Sequence, residues 1–335
     1  HYNLPKSLEN YTQEIGRSGR DGQAAHCEML ACGDDLTVLE NFIYSDIPSP
    51  QALENLINRV LRLGTTFDVS PYDLSTICDI RPNVISTIMT YLEIDGIIEA
   101  TGTFYATYRA KLLRSPEKIL AGRSTAERKF VQQILDAGEL KRWWFYFYPS
   151  TLAEKLNVSR EKIVTTINSL QAVGDVTLGV SGIRHGYRLK NSEFDLKQIT
   201  AELVAKFKFR EQADLARLRQ MLDFSAHRGC LTGYLTKHFG EILLQPCGHC
   251  DRCRGVAAQK IKPPKSRRAT DLEFSAVKSL MDEKHAALAT PRQLACFLCG
   301  MASPATTRAR LTRHSTFGIL SDMPFAEVII IAEAA

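Results

Sequence analysis

Long apolar runs are missing from this 335-residue sequence. A helix that crosses a bilayer needs about 18 to 20 consecutive apolar residues, and no stretch reaches that length, so a membrane partner is not expected. The sequence also lacks a basic stretch followed by an apolar segment near its start, so no secretory signal is predicted. Its first residue, His1, is not methionine, and we expect a fragment or a processed product.

Neither charge nor composition is extreme. Hydrophobic residues make up 44% and charged residues 24%, which excludes a disordered or collagen-like chain. Lys and Arg total 42 against 37 Asp and Glu, and the net charge of +5 permits a nucleic-acid partner without requiring one. The length leaves room for about two to four small domains.

The cysteines do not suit a disulfide framework. They number nine, an odd count, and four of them lie between Cys230 and Cys253. Such clustering favours metal binding in a reducing compartment. The stretch Cys296-x-x-Cys299 has the spacing of a redox motif, but it lies in an apolar helical run, and we interpret it as buried packing.

The cysteine cluster has the spacing of a metal site. Cys247, Cys250 and Cys253 form a C-x₂-C-x₂-C run, and Cys230 lies upstream. Iron–sulfur runs of this kind continue with a further cysteine followed by proline, which this one does not. We therefore predict a closed, tetrahedral and structural Zn²⁺ site made of these four thiolates. Substitution of His249 for one thiolate is the alternative.

Residues 49–176 contain an internal repeat at a constant offset of 78. The densest match pairs Phe67, Val69, Pro71 and Leu74 with Phe145, Phe147, Pro149 and Leu152. Each copy predicts a helix, a short strand, two helices and a two-stranded ribbon, which is the order of a winged helix. The predicted ribbons are residues 97–108, with a turn near Gly102, and residues 176–189.

Winged helices can bind DNA by placing a helix in the major groove and the wing on the backbone. They also serve as protein contacts and spacers, so a protein-docking scaffold is an alternative. The candidate DNA contacts in the two copies are Arg81, Arg109, Arg160, Lys162, Arg184 and Arg188.

The aromatic run from Trp143 to Tyr148 has two interpretations. Because Phe145 and Phe147 occupy repeat positions in an alternating strand, one face of the run is predicted to be core. The other face leaves Trp144, Tyr146 and Tyr148 as minor candidates for base stacking.

A basic, glycine-rich segment lies near the start. Gln13 to Gly22 places Arg17 and Arg20 three residues apart at a helix end, and glycines there let backbone approach a ligand. The segment resembles motif VI of the second helicase superfamily, and residues 5–14 resemble the RecQ branch. The resemblance implies ATP chemistry between two lobes, with Arg17 and Arg20 at the ATP phosphates, Arg20 as arginine finger, and Gln13 among the catalytic positions.

A second resemblance to RecQ proteins surrounds the cysteines. The matching stretches are Gln220 to Phe224, Gly229-Cys230, Phe239 to Glu241 and Pro246 to Cys253, and they resemble the RecQ zinc-binding helical hairpin. RecQ proteins usually place this hairpin shortly after motif VI and a single winged helix after it. Here two winged-helix-like units lie between the two motifs.

We therefore expect a multidomain α/β and α+β chain. The expected parts are the end of a second RecA-like lobe (1–45, with a strand at 26–31), two tandem winged helices (46–115 and 116–195), the four-cysteine zinc-binding helical hairpin (196–256), a basic linker (257–270) and a small, mostly helical C-terminal module (271–335).

The resemblance implies the C-terminal part of an ATP-dependent 3′ to 5′ DNA helicase that serves repair or recombination and acts on single-stranded DNA and duplex junctions. The chain has no G-x-x-x-x-G-K-S/T loop, so we expect ATP and Mg²⁺ to bind mainly upstream and this chain alone to be inactive. We expect a cytoplasmic or nucleoid-associated protein in bacteria and a nuclear one in eukaryotes. The alternative is a stand-alone zinc and winged-helix DNA-binding protein without a motor.

Overall fold

The computed structural model describes residues 1–190, 194–262 and 267–334. The chain divides into two compact units, both discontinuous in sequence. Unit 1 contains residues 1–60, 74–88 and 194–335, and unit 2 contains residues 61–73 and 89–193. Pro263, Pro264 and Lys265 of the predicted basic linker lie outside the described residues. No helix in the described ranges has the length and apolar character needed to cross a membrane.

The chain is mixed α/β. Its α-helices are α1 (Leu8–Ile15), α2 (Asp34–Ser45), α3 (Pro50–Leu61), α4 (Pro71–Cys78), α5 (Pro82–Ile94), α6 (Pro116–Leu120), α7 (Thr125–Asp136), α8 (Pro149–Leu156), α9 (Arg160–Ala172), α10 (Leu196–Ala226), α11 (Leu231–His238), α12 (Asp271–Asp282), α13 (Pro291–Leu298), α14 (Pro304–Arg308) and α15 (Phe325–Ala334). Its strands are β1 (Thr66–Val69), β2 (Ile98–Leu112), β3 (Glu139–Lys141), β4 (Trp144–Phe147) and β5 (Val176–Leu189).

The secondary structure follows the sequence repeat. The strands β1 and β4 begin 78 residues apart, at 66 and 144, and so do β2 and β5, at 98 and 176. The helices α4 and α8, at 71 and 149, keep the same offset. Both of these helices begin with proline, whose missing N–H is not needed in a first helical turn.

The predicted two-stranded ribbons are wrong. β2 and β5 are continuous strands of 15 and 14 residues, and they pair antiparallel with each other from Ile98↔Leu189 to Leu112↔Val176. Gly102 has a positive φ of 125°, but it marks a bulge in the ladder and not a turn. Because each strand finds a nearly full-length partner in the other copy, neither folds back on itself.

The two copies exchange strands within one sheet of order β1-β5-β2-β4-β3. β1 of the first copy pairs with β5 of the second, and β4 of the second copy pairs with β2 of the first. Tyr105 lies directly opposite Ile183, and these two residues occupy the same repeat position, 78 apart. The sheet therefore has an approximate twofold axis at this pair, which the bulge between Ala100 and Gly102 offsets by one residue.

One face of the sheet packs against the helices of unit 2. Tyr108 and Ala110 of β2 join Phe147, Ile134 and Ile163 in a buried cluster. Phe145 packs against the same cluster, so the prediction that this face of the aromatic run is core is confirmed.

The C-terminal region is helical, as predicted, and its buried residues form a cluster on which Tyr44 of α2 also packs. Phe297 and Leu298 of α13 pack with Val277, Leu320 and Val328. Cys296 and Cys299 belong to this packing, and burial raises their pKa to about 11 and about 12, which suits inert thiols.

Two expectations about extended or solvated segments are corrected. Residues 26–31 form no strand; the Leu30 N–H donates to the His1 carbonyl (2.9 Å), and within the described chain no strand lies beside them. Arg267, assigned to the solvated linker, binds Glu273 (2.8 Å) and Asp322, and Thr270 caps α12. The C-terminal module therefore begins before Asp271.

Candidate metal centre

Four cysteine thiols meet at one point in unit 1. The sulfur atoms of Cys230, Cys247, Cys250 and Cys253 all lie within 4.8 Å of one another, and those of Cys247 and Cys253 are 3.9 Å apart. A tetrahedral Zn²⁺ with Zn–S bonds of about 2.3 Å places its sulfurs about 3.8 Å apart. The donor set therefore fits zinc, as the spacing predicted.

The local backbone conformation directs the four thiols toward one another. Cys230 is the N-cap of α11, and its sulfur accepts a hydrogen bond from the Gly233 N–H (3.4 Å). Cys247 and Cys250 flank a tight turn in which Gly248 has a φ of 76°, a conformation that glycine adopts without strain. The positive N-terminal end of α11 and the turn at Gly248 thus both lie at the cluster.

Backbone N–H groups favour the thiolate forms. The Cys247 and Leu231 N–H groups donate to the sulfurs of Cys230 (3.3 Å) and Cys250 (3.4 Å), and the Cys250 N–H donates to that of Cys247 (3.3 Å). Burial acts to raise the pKa of Cys247, but hydrogen bonds with Thr232 and the backbone outweigh it and lower that pKa to about 5. The backbone bond from Gly248 acts to lower the pKa of Cys253, but hydrogen bonds with the other thiols outweigh it and raise that pKa. Thiolates are the form that binds a metal.

The site is closed. His249 is exposed and lies outside the cluster, so the four-thiolate set is favoured over the histidine alternative. Four protein ligands leave no open coordination position, which is the arrangement of a structural zinc. Zinc bound here would link Cys230, at the start of α11, to the segment from Cys247 to Cys253. It would take no part in a reaction.

Arg252, between two of the ligands, ties the loop to the end of α10. Its guanidinium donates to the carbonyls of His227 (2.8 Å) and Ser225 (2.9 Å). These carbonyls lie at the C-terminal end of the helix, where a cation is favoured. No sequence motif identifies Arg252 for this role; the signal in the sequence is a basic residue enclosed by metal ligands.

The zinc-binding hairpin packs on the segment that carries the paired arginines. Leu8 and Tyr11 of α1 share a buried cluster with Leu218, Met221 and Phe224 of α10. The Tyr11 and Phe224 rings lie 5.3 Å apart. Residues about 200 positions apart in sequence therefore form one core within unit 1.

A hydrogen bond between His238 and Glu9 reinforces this packing. His238 Nε2, at the end of α11, lies 2.9 Å from Glu9 Oε1 in the first turn of α1. Burial acts to raise the pKa of the Glu9 carboxyl, but hydrogen bonds with His238 and Ser7 outweigh it and lower that pKa to about 2. Since the folded pKa lies below its ordinary value of 4.5, ionised Glu9 stabilises the fold above about pH 4.5, and this contribution is lost as the pH falls toward 2.

We expect Glu9→Gln to destabilise the protein at neutral pH by about 1 kcal/mol or less, because the pair is partly exposed and screened by solvent. The difference from wild type should shrink as the pH falls below 4.5 and Glu9 becomes protonated. Urea denaturation of both proteins across this range measures it, with Glu241→Gln as an exposed control. A difference that stays constant with pH would contradict the assignment.

The predicted nucleotide-contacting residues lie together on the surface. Gln13 is in the last turns of α1, and Arg17 and Arg20 follow in the turns after it. All three are exposed, and within the described part of the chain no carboxylate forms an ion pair with either guanidinium. Both arginines are thus available to a ligand, and their role at ATP phosphates stays a prediction.

Most of the predicted DNA contacts are engaged within the protein. Arg81 binds Asp46 (3.0 Å), Arg184 binds Asp68 and Asp73, and Arg188 lies 3.9 Å from Glu99.

The helix α9 uses its cations to hold the sheet and its neighbouring helix. Arg160 donates to the Tyr105 carbonyl (2.9 Å) and covers the Phe104 ring at 4.2 Å. Lys162 lies 4.8 Å from the Phe130 ring. Arg109 differs, since it is exposed and stacks only on Trp144. A role of these residues in DNA binding stays a prediction.

Comparison with known proteins agrees with this geometry. Residues 195–254 match the RecQ zinc-binding family model. ATP-dependent DNA helicase Q-like 5 of Arabidopsis thaliana is 22% identical over the whole of this chain, which spans 37% of that protein. Human ATP-dependent DNA helicase Q4 is 42% identical over 62 residues, 18% of this chain and 5% of its own length. The hus2/rqh1 helicase of Schizosaccharomyces pombe is 37% identical over 65 residues, again 18% and 5%.

The closed four-thiolate site lies on a helical hairpin within the residues that match the RecQ zinc-binding family model. The chain that contains it is similar along its whole length to a RecQ-type helicase, and the predicted resemblance to the C-terminal part of RecQ-like helicases is confirmed.

Proposed function

We propose that this chain is the C-terminal part of an ATP-dependent DNA helicase of RecQ type that moves 3′ to 5′ and serves repair or recombination. One observation supports it most: the RecQ zinc-binding hairpin packs directly on the segment that presents Arg17 and Arg20. A hairpin so placed would hold that segment rigid while the arginines contact nucleotide. The stand-alone DNA-binding alternative gives the intact, exposed arginine pair no role and is not favoured.

The residues present have definable parts in this function. ATP and Mg²⁺ would be held mainly by an upstream lobe. Arg17 and Arg20 would approach the phosphates from this chain, and a fixed guanidinium there would stabilise charge that develops during phosphoryl transfer. Gln13 lies on the same helix end and would orient groups at that site. The two repeats would be winged-helix-like units that share one sheet, and the substrate would be single-stranded DNA and duplex junctions. The protein would act where the genome is, in the nucleoid or the nucleus.

The test uses the protein together with its upstream ATP-binding lobe. ATP hydrolysis is measured with and without DNA, and strand separation is measured on duplexes with a 3′ or a 5′ single-stranded tail. We expect hydrolysis to depend on DNA and unwinding to require the 3′ tail. Hydrolysis that DNA does not stimulate would contradict the helicase assignment, and unwinding from the 5′ tail alone would contradict the direction.

A further inference from the structure

The second face of the unit 2 sheet is buried at its β1 end, at Phe67, Val69 and Tyr187. Along β2, β4 and β3 the same face carries no described helix of the cluster around Phe147. Side chains alternate along a strand, and Tyr108 and Ala110 of β2 point into that cluster. Arg109 between them therefore points away from it, and so does every second residue of β2 from Thr103 to Lys111. We call this the basic–aromatic face. It consists of Thr103, Tyr105, Thr107, Arg109 and Lys111 of β2, the opposing His185, Ile183, Ser181, Gly179 and Thr177 of β5, Trp144 and Tyr146 of β4, and Glu139 and Lys141 of β3.

Cations and rings alternate across this face. The Arg109 guanidinium lies 4.9 Å from the Trp144 ring centre, and Lys141 Nζ lies 5.3 Å from that of Tyr146. Gly179 permits the first of these contacts, since a Cβ at that position would lie 2.6 Å from Arg109 Nε. Arg109 thus lies over the Trp144 ring and remains exposed to solvent.

The charge of the face is positive and mostly uncompensated. Glu139 is the one acid on it among the described residues, and it is bound to Lys141 (2.8 Å). Arg109 and Lys111 are exposed, and within the described chain no carboxylate forms an ion pair with either. By contrast, Arg114 and Arg123 elsewhere in unit 2 are bound to Asp175. The cations of this face that have no acidic partner in the described part of the chain, Arg109 and Lys111, therefore lie next to its aromatic side chains.

Aromatic side chains on and beside the face are accessible. Tyr105, at the twofold position, is 39% exposed, and Trp143, in the turn before β4, is 78% exposed. Both rings are therefore accessible to a ligand that stacks on them. The face from Thr103 to Lys111 is about 27 Å long at roughly 3.4 Å per residue.

We propose that the basic–aromatic face binds single-stranded DNA, with phosphates at Arg109 and Lys111 and bases stacked on Tyr105, Trp143 and the Arg109–Trp144 pair. Stacking rings beside a row of cations are the features that hold unpaired bases, whereas the stacked bases of a duplex offer no ring faces. Serine and threonine hydroxyls along the strands add donors to the backbone. The choice of DNA as the polymer rests on the proposed function.

The test is binding of a fluorescently labelled oligothymidylate of about 12 nucleotides to the whole 335-residue chain at low salt, read by anisotropy. We expect Trp143→Ala and Tyr105→Ala each to weaken binding about tenfold, since one base–aromatic stack is lost. Arg109→Ala combined with Lys111→Ala should weaken binding by a similar factor or more and also flatten its salt dependence, because two phosphate contacts are lost.

The matched control combines Lys129→Ala with Lys155→Ala. Both lysines are exposed in unit 2 but lie on helices, so the pair removes the same charge away from the face. Gly179→Ala should also weaken binding, because it displaces Arg109 from Trp144. Far-ultraviolet circular dichroism checks that each variant is folded.

Equal affinity of the face variants and the lysine control would overturn the proposal, and so would the absence of oligothymidylate binding at low salt. Tighter binding of an oligouridylate would overturn the assignment to DNA. These outcomes are separate from the helicase test. If the face variants bind as tightly as the lysine control while DNA still stimulates hydrolysis, only this proposal is removed. If the face variants lose binding but DNA does not stimulate hydrolysis, this proposal is supported and only the proposed function is removed.

Discussion

Replacing Cys250 with serine is expected to unfold residues 195–254. The structure brings four thiols to one point, and a serine hydroxyl is a poor substitute for a thiolate at a zinc ion. Metal binding in such small sites supplies folding free energy of the order of 10 kcal/mol, which is as large as the stability of a typical domain. α11 is short and has no fully buried residue, so its own packing cannot replace that contribution.

The loss should extend beyond the hairpin. Met221 and Phe224 share a core with Leu8 and Tyr11, so disorder in the zinc region would expose apolar surface on α1 as well. We therefore expect the turns that carry Arg17 and Arg20 to become susceptible to proteolysis in the Cys250→Ser variant.

Thermal melts followed by circular dichroism, with zinc content measured on the same samples, test this prediction. Chelation of the wild-type protein should reproduce the effect of Cys250→Ser. The control is Cys32→Ser, because Cys32 is exposed and lies outside the cluster. A chelated protein that keeps its zinc-loaded melting curve would show that the metal does not hold this region.

The features that the sequence could predict are those encoded by short-range spacing. The Cys247, Cys250 and Cys253 run identifies a metal site because its chemistry lies within seven residues. The repeat is equally visible, since β1 and β4, β2 and β5, α4 and α8, and α5 and α9 begin at the same offset of 78. Helix starts at Pro71 and Pro149 follow from the conformation of proline itself.

The features that could not be predicted depend on which strands pair with each other in the sheet. The residues of β2 and β5 suit a strand in either arrangement, and Gly102 suggested a turn. Pairing between β2 and β5 requires a contact between residues as distant as Ile98 and Leu189, and no local pattern records it. The wings were therefore expected within each copy, and the sheet instead joins the two copies.

The same reasoning applies to the charged residues. Arg184 was a candidate for DNA contact, but Asp68, 116 positions away, binds it. A count of basic residues cannot separate paired arginines from free ones. The structure separates them, and it leaves Arg109 and Lys111 on the open face of the sheet.

The order of motifs along the chain also has a structural explanation. Two repeats lie between Arg20 and Cys230, yet α10 returns to pack on α1. Glu9 and His238 close the same contact at 2.9 Å. The inserted repeats thus leave the spatial relation between the paired arginines and the zinc hairpin intact, and this relation supports the assignment of Arg20.

In the protein that includes its upstream lobe, Arg20→Ala should abolish DNA-stimulated ATP hydrolysis, with a loss of about 10³- to 10⁵-fold. Arg20 is exposed and follows a helix end in turns that contain Gly19 and Gly22, so its removal should not disturb the core. DNA binding should remain nearly intact, because the basic–aromatic face belongs to another part of the chain. Arg20→Lys should restore little activity, since a lysine ammonium cannot reproduce the planar, forked contacts of a guanidinium.

Steady-state hydrolysis with saturating DNA measures the effect, and oligothymidylate binding is measured on the same samples. Arg128→Ala is the control, because Arg128 is exposed on α7 and the substitution removes the same group from the surface. Turnover by Arg20→Ala within a few-fold of the control would remove the arginine-finger role. Joint loss of hydrolysis and DNA binding would instead mean that the variant is misfolded or that Arg20 contacts DNA, and a melting curve distinguishes these two cases.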